Sequence, residues 1–229
     1  MTKEFNGFSE QTIEFLNNLK KNNNKTWFEE HKEEYEFYLL QPFKAFVGEF
    51  GQFMLSIDPY LDVTPAVNRT ISRIHRDTRF SKDKSPYKCS MWVTFKRQGK
   101  DWQDAPGYFF EISTNSYRYG MGFYSASTDT MDKLRQLIDE KSQKFFDAFE
   151  VYSAQSIFKI EGEKYKKQFS GDLDNNILEW YQRKNMYFVS NRHIDDLLFS
   201  LKLTEELMHG FSILKPIYEF LWFIKGVNV

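Results

Sequence analysis

The chain has 229 residues, 31 basic and 32 acidic, and its formal charge of −1 excludes a global field that would draw it to nucleic acid or an anionic membrane. Apolar residues make up 41 % and aromatics 18 %, with 24 Phe, 13 Tyr and 5 Trp, which argues against disorder and supplies a core built largely of rings. Its one cysteine, Cys89, excludes an intrachain disulfide and a thiolate zinc site.

The length suits one domain, expected over residues 1–229. The opening Met1-Thr2-Lys3-Glu4-Phe5-Asn6 lacks the charged-then-apolar pattern of a secretory signal, and no apolar run approaches the roughly 18 residues of a membrane span. The expected setting is cytoplasmic, without a membrane partner.

In chain order, Ser9 is placed to cap a first helix in which Ile13, Leu16 and Leu19 recur at helical spacing, and Asn22-Asn23-Asn24 ends it. Thr26 and Glu29 stand at capping-box spacing, which predicts a second helix from Trp27 towards Leu40. Pro42 begins or kinks a third, whose apolar face runs from Phe43 through Phe46, Val47, Phe50 and Met54 to Ile57. The character then changes. Strand-like runs appear at Thr70–Arg76, Tyr87–Lys96, Gly107–Thr114 and Tyr117–Tyr124, the second with a clean alternation of Cys89, Met91, Val93 and Phe95 against Ser90, Trp92, Thr94 and Lys96. Helices return at Thr130–Asp139 and Gln143–Tyr152. A short helix near Asn176–Arg183, an extended run at Met186–Ser190 and a long helix from about Thr204, with a kink or break at Pro216, complete the chain. The expected fold class is α+β: a mostly antiparallel sheet of about four to five strands over residues ~68–125, packed against N-terminal and C-terminal helices.

Between Arg69 and Lys88 stand seven basic residues and two acids, a local charge of +5 in a chain whose remainder sums to −6. Residues 77–86 form a polar loop pinned at both ends by strand-like chain. Guanidinium forks at Arg73, Arg76 and Arg79, ammonium groups at Lys84 and Lys88, and hydroxyls at Ser81, Ser85 and Tyr87 suit an oxyanion. These eight residues are the candidate ligand-binding set. His75, Asp77 and Asp83 are the candidate proton carriers beside a bound anion. No histidine has metal-ligand spacing, and neither a cofactor nor a metal is expected.

The run Arg76-Asp77-Thr78-Arg79-Phe80-Ser81-Lys82-Asp83-Lys84-Ser85-Pro86-Tyr87-Lys88 resembles the hallmark of an uncharacterised, largely bacterial family, the domain-of-unknown-function family 2461. The likeness extends to Asn22-Asn23-Asn24-Lys25-Thr26-Trp27-Phe28, Pro42-Phe43, Ala105-Pro106-Gly107-Tyr108, Gly120-Met121-Gly122 and the region Leu178 to Phe188. It implies an α+β domain and carries no agreed activity or catalytic residues. Two departures stand out: the family often has three glycines at Gly120-Met121-Gly122, and a Pro- and Arg-rich stretch is replaced by Lys164-Tyr165-Lys166-Lys167.

Several readings of Arg73–Lys88 stay open. It is an anion site of a small-molecule enzyme or ligand-binding domain, a surface for nucleic acid (the less favoured partner) or for a protein, or a structural network in which Asp77 and Asp83 pair with Arg76, Arg79 or Lys84. His75 is equally a half-buried strand histidine, and Cys89 a buried, inert thiol. Gly120 and Gly122 relieve crowding in a strand or let a ligand approach the backbone.

Overall fold

The computed structural model describes residues 4–79, 82–166 and 173–227. Its elements in chain order are α1 (Glu10–Lys21), α2 (Lys25–Glu30), α3 (Lys32–Glu34), a π-helical segment (Tyr35–Leu40), α4 (Gln41–Ile57), β1 (Ser90–Phe95), β2 (Pro106–Ser113), β3 (Ser116–Phe123), α5 (Thr128–Asp139), α6 (Gln143–Ser153), β4 (Lys159–Glu161), α7 (Asn175–Tyr181), β5 (Tyr187–His193) and α8 (Lys202–Ile224). The fold class is α+β, and five strands make one antiparallel sheet in the order β1-β2-β3-β5-β4. No helix among the described residues is long and apolar enough to cross a membrane.

The sheet is not confined to residues 68–125, because β4 and β5 come from later in the chain. β5 was visible as the extended run at Met186–Ser190. β4 is too short to display a period, and it is held by pairing Lys159 with Val189, Ile160 with Phe188 and Glu161 with Tyr187. Conversely, Thr70–Arg76 is not a continuous strand. It touches the returning chain at two isolated bridges, Ile71 with Val93 and His75 with Tyr87, so that residues 72–74 on one side face residues 88–92 on the other. The longer stretch bulges, and the bulge interrupts the ladder.

The chain groups into two compact units, each drawn from three stretches of sequence, so no linker marks them. One comprises Met1–Phe95, Phe109–Arg118 and Asn191–Leu207. Its core is a ring cluster in which Phe8 lies 4.9 Å from Phe43 and 5.6 Å from Phe110, and Phe46 lies 5.0 Å from Phe50. Ser9 caps α1 as expected, its amide accepted by the Thr12 hydroxyl at 3.3 Å. The second helix begins earlier than the Thr26–Glu29 box implied: Asn24 is its cap, accepting the Trp27 amide at 3.0 Å, since a short Asx side chain reaches the third amide beyond it.

Pro42 stands at the start of α4, in its first turn, directly after the π-helical segment. Pro42 has no N–H to give the Tyr38 carbonyl four residues back, and the Thr12 hydroxyl of α1 donates to that carbonyl at 2.7 Å.

The other unit comprises Lys96–Tyr108, Tyr119–Ser190 and Met208–Val229. Trp180, fully buried, is its hub, with Phe188 at 5.0 Å, Phe145 and Tyr152 at 5.6 Å and Phe149 at 6.2 Å. Helix α8 continues through Pro216 with no break, which removes the break from the sequence expectation. The glycines in β3 serve strand packing: a Cβ on Gly120 would lie 2.0 Å from the Phe188 carbonyl oxygen, and one on Gly122 2.4 Å from the Tyr187 Cα.

Candidate functional site

The basic segment leaves and returns as a narrow antiparallel ribbon. The Arg76 amide donates to the Pro86 carbonyl and the Lys88 amide to the Ile74 carbonyl, both at 2.8 Å, bracketing the His75–Tyr87 bridge. Alternation from that bridge puts Arg76 and Lys88 on one face of the ribbon. The returning arm is fixed from outside by Asn23, whose side-chain amide accepts the Tyr87 N–H and donates to the Tyr87 carbonyl, each at 3.0 Å. An amide side chain thus acts as a strand partner one residue long. Tyr87 is buried and stacks on Phe28 of α2 at 4.1 Å, with His75 5.1 Å away. Burial raises the Tyr87 hydroxyl above its ordinary range, with Glu29 adding to the effect, so it stays protonated.

The acids of the loop are engaged by its own cations. Asp77 takes a bidentate contact from Arg79 at 2.7 and 3.0 Å and also accepts the Arg79 amide, while Arg73 approaches to 4.0 Å. These bonds, Arg79 first, hold the Asp77 carboxyl far below its usual range. Asp83 accepts the Ser85 amide at 2.9 Å and pairs with Arg76 at 3.0 Å, and its carboxyl is likewise held low, chiefly by Ser85. Lys84 donates to the Thr78 carbonyl at 2.8 Å.

Lys88 differs from these. Its ammonium donates to the Arg73 carbonyl at 2.7 Å and lies 4.2 Å over the Trp92 ring, and no carboxylate stands within 4.0 Å among the described residues. Burial lowers its pKa, Arg73 and Arg76 lower it further, and Glu111 on β2 opposes them. Arg76 contributes a second sign of unmet polarity: its Nε is buried without a hydrogen-bond partner among the described residues.

Of the candidate ligand residues, the structure therefore draws Arg73, Arg76 and Lys88 into one electrostatic group, spreads Arg79 and Lys84 along the loop in contacts of its own, and places Ser85 beside Asp83 as a turn. Tyr87 is core, and Ser81 lies outside the described residues. Among the proton carriers, His75 is exposed, whereas Asp77 and Asp83 act as struts. Held ionised, those two carboxylates are poor acids at neutral pH and weak bases. Cys89 is half-buried rather than buried, because it precedes the covered part of β1, and Asn23 donates to its sulfur at 3.5 Å. Two participants escaped the sequence reading. Asn23 is 64 residues from Tyr87 and carries no local sign of its clamp, and Trp92, on the mixed face of β1, meets Lys88.

No curated protein matches the chain. A model of the family described as "Conserved hypothetical protein (DUF2461)" matches residues 11–220, nearly the whole length and including the entire basic ribbon, and the chain belongs to that family.

Proposed function

We propose that this protein recognises a small ligand through an oxyanion (phosphate, sulfate or carboxylate) held by Arg73, Arg76 and Lys88, with Arg79 and Lys84 at the rim. The observation that supports it is the cation excess of this group: Arg76 pairs with Asp83 and Arg73 approaches Asp77, an acid already engaged by Arg79, while Lys88 has no such partner among the described residues. Two guanidiniums bear on a partly buried ammonium that, among the described residues, has no carboxylate within 4.0 Å, and a buried guanidinium N–H finds no acceptor among them. Such frustration costs free energy in the empty protein and is relieved when an anion arrives. Asp77 and Asp83 fit a supporting role, since they fix the loop and leave the ribbon face to the cations. The reading is one of binding; nothing in the site selects a reaction.

A second reading, favoured by the Arg79–Asp77 and Arg76–Asp83 pairs, makes the segment a self-satisfied structural loop. Thermal unfolding in inorganic phosphate, sulfate, citrate, sugar phosphates and nucleotides separates the two. A ligand at 100 times its Kd stabilises by about 2.7 kcal/mol, and at this length each kcal/mol raises Tm by roughly 2–4 °C. We expect a rise of about 5–11 °C in the wild type that disappears in Arg76→Ala and Lys88→Met. No rise with any anion, alongside an intrinsically less stable Arg76→Ala, would leave the structural loop as the better account.

A further inference from the structure

We propose that Lys88 is a reactive amine that condenses to an imine with aldehydes bearing a phosphate or carboxylate, which makes anionic carbonyl compounds the ligand class of the ribbon face. This rests on the anion reading above and adds to it a reacting atom.

Three observations point to Lys88. The first is what surrounds its Nζ: a backbone carbonyl at 2.7 Å and an indole ring at 4.2 Å, with no carboxylate among the described residues within 4.0 Å to hold it as an ammonium. Lys164, by contrast, is paired with Glu179 at 2.6 Å, and Lys225 with Asp104. The second is the balance of charge. Arg73 and Arg76 face Lys88 from its own ribbon and Glu111 from β2; burial and the guanidiniums outweigh the glutamate and favour the neutral amine, although the Trp92 ring favours the charged form. Desolvation beside other cations is a recognised way to make a lysine nucleophilic. The third is placement: Arg76 and Lys88 share a ribbon face, so an anion held by the Arg76 guanidinium carries its tethered carbonyl to the amine, turning a bimolecular encounter into an intramolecular one.

The step balances without an oxidant or reductant. The Nζ lone pair adds to the carbonyl carbon, the carbonyl π electrons move to oxygen, and a proton passes from nitrogen to oxygen through water to give the carbinolamine. Its hydroxyl leaves as water after protonation while nitrogen releases its remaining proton. Amine and aldehyde become imine and water.

The test uses the full chain with pyridoxal 5′-phosphate as an aldehyde carrying a phosphate, followed by borohydride, which delivers hydride to the imine carbon and fixes the adduct. Peptide mass spectrometry then gives the rate of labelling at every lysine. We expect Lys88 to label at least about tenfold faster than the median lysine, a small part of what orientation by a bound anion can supply. The preference should vanish in Arg76→Ala, under excess inorganic phosphate, and with pyridoxal, which lacks the phosphate; Lys88→Arg should keep the fold and lose the fast site. A phosphate-induced rise in Tm with Lys88 labelling no faster than other lysines would overturn the imine proposal and leave the anion site standing. Fast labelling that ignores phosphate, or pyridoxal reacting equally well, would overturn both.

Discussion

Replacing Asn23 with alanine removes the clamp on the returning arm of the ribbon, and its cost follows from the contacts. Two hydrogen bonds of 3.0 Å are lost, one from and one to the backbone of a residue that is 2 % exposed. Each bond is worth about 0.5–1.5 kcal/mol net, and a buried backbone group left without a partner costs about 1–3 kcal/mol. Asn23 itself is only half-buried, so water reaches part of the vacated site and the total settles at about 2–3 kcal/mol. At roughly 2–4 °C per kcal/mol, Asn23→Ala should lower Tm by about 4–12 °C, measured by circular dichroism or calorimetry. Asn23→Asp can still accept the Tyr87 amide and cannot donate to its carbonyl, so it should fall between alanine and wild type. Because the clamp fixes the ribbon rather than touching the ligand, anion binding should weaken in both variants in proportion to the lost stability. A Tm within about 2 °C of wild type for Asn23→Ala, less than one kcal/mol, would show that solvent replaces the clamp and that the ribbon is positioned by the Tyr87–Phe28 stack alone.

Thr12→Val should cost about 1–2 kcal/mol by chemical denaturation, because its hydroxyl donates to the Tyr38 carbonyl, to which Pro42 has no N–H to offer. Pro42→Ala in the same background restores an N–H and should recover part of the loss, whereas strict additivity would refute the link between the two residues. Gly120→Ala should destabilise by about 3 kcal/mol or more, since its Cβ meets the Phe188 backbone at 2.0 Å and backbone cannot turn aside; near-wild-type unfolding would contradict that contact. Trp180→Ala, which empties the hub of its unit, should cost about 3–5 kcal/mol. The loop should also respond to acid with a defined sign. Asp77 and Asp83 have carboxyls lower in the folded protein than the ordinary value of about 3.9, so their contribution is complete above that pH and is lost as pH falls through the depressed values. Amide resonances of Arg79 and Ser85, the N–H donors to these carboxylates, should titrate with midpoints below about 3.9; midpoints at or above it would refute the assigned bonds.

Much of the molecule was legible because local physics wrote it. The apolar faces of α1, α4, α5, α6 and α8 repeat at the helical period, and β1 alternates at period two, so existence and type of these elements were set by their own residues. The exceptions are of two kinds, local competition and pairing with a partner distant in sequence. Asn24 outcompeted Thr26 as a cap, and α8 runs on across Pro216 as one helix that carries buried residues on both sides of it. Thr70–Arg76 lost its continuity to a bulge that only the pairing with Val93 and Tyr87 defines. β4 exists because β5 lies beside it.

The same division runs through the candidate site. Sequence by itself determined the charge: seven cations and two acids within twenty residues, on a loop pinned by strand-like arms, together with the family to which the chain belongs. Only the tertiary structure decided which charges are spent on one another. Ion pairs depend on distances of a few ångströms, which composition does not fix, and they committed Asp77 to Arg79 and Asp83 to Arg76. What distinguishes Lys88 is likewise invisible in the chain. Its solvation and its neighbours Trp92 and Glu111 come from folding, and they turn one lysine among many into the amine with a depressed pKa beside two guanidiniums.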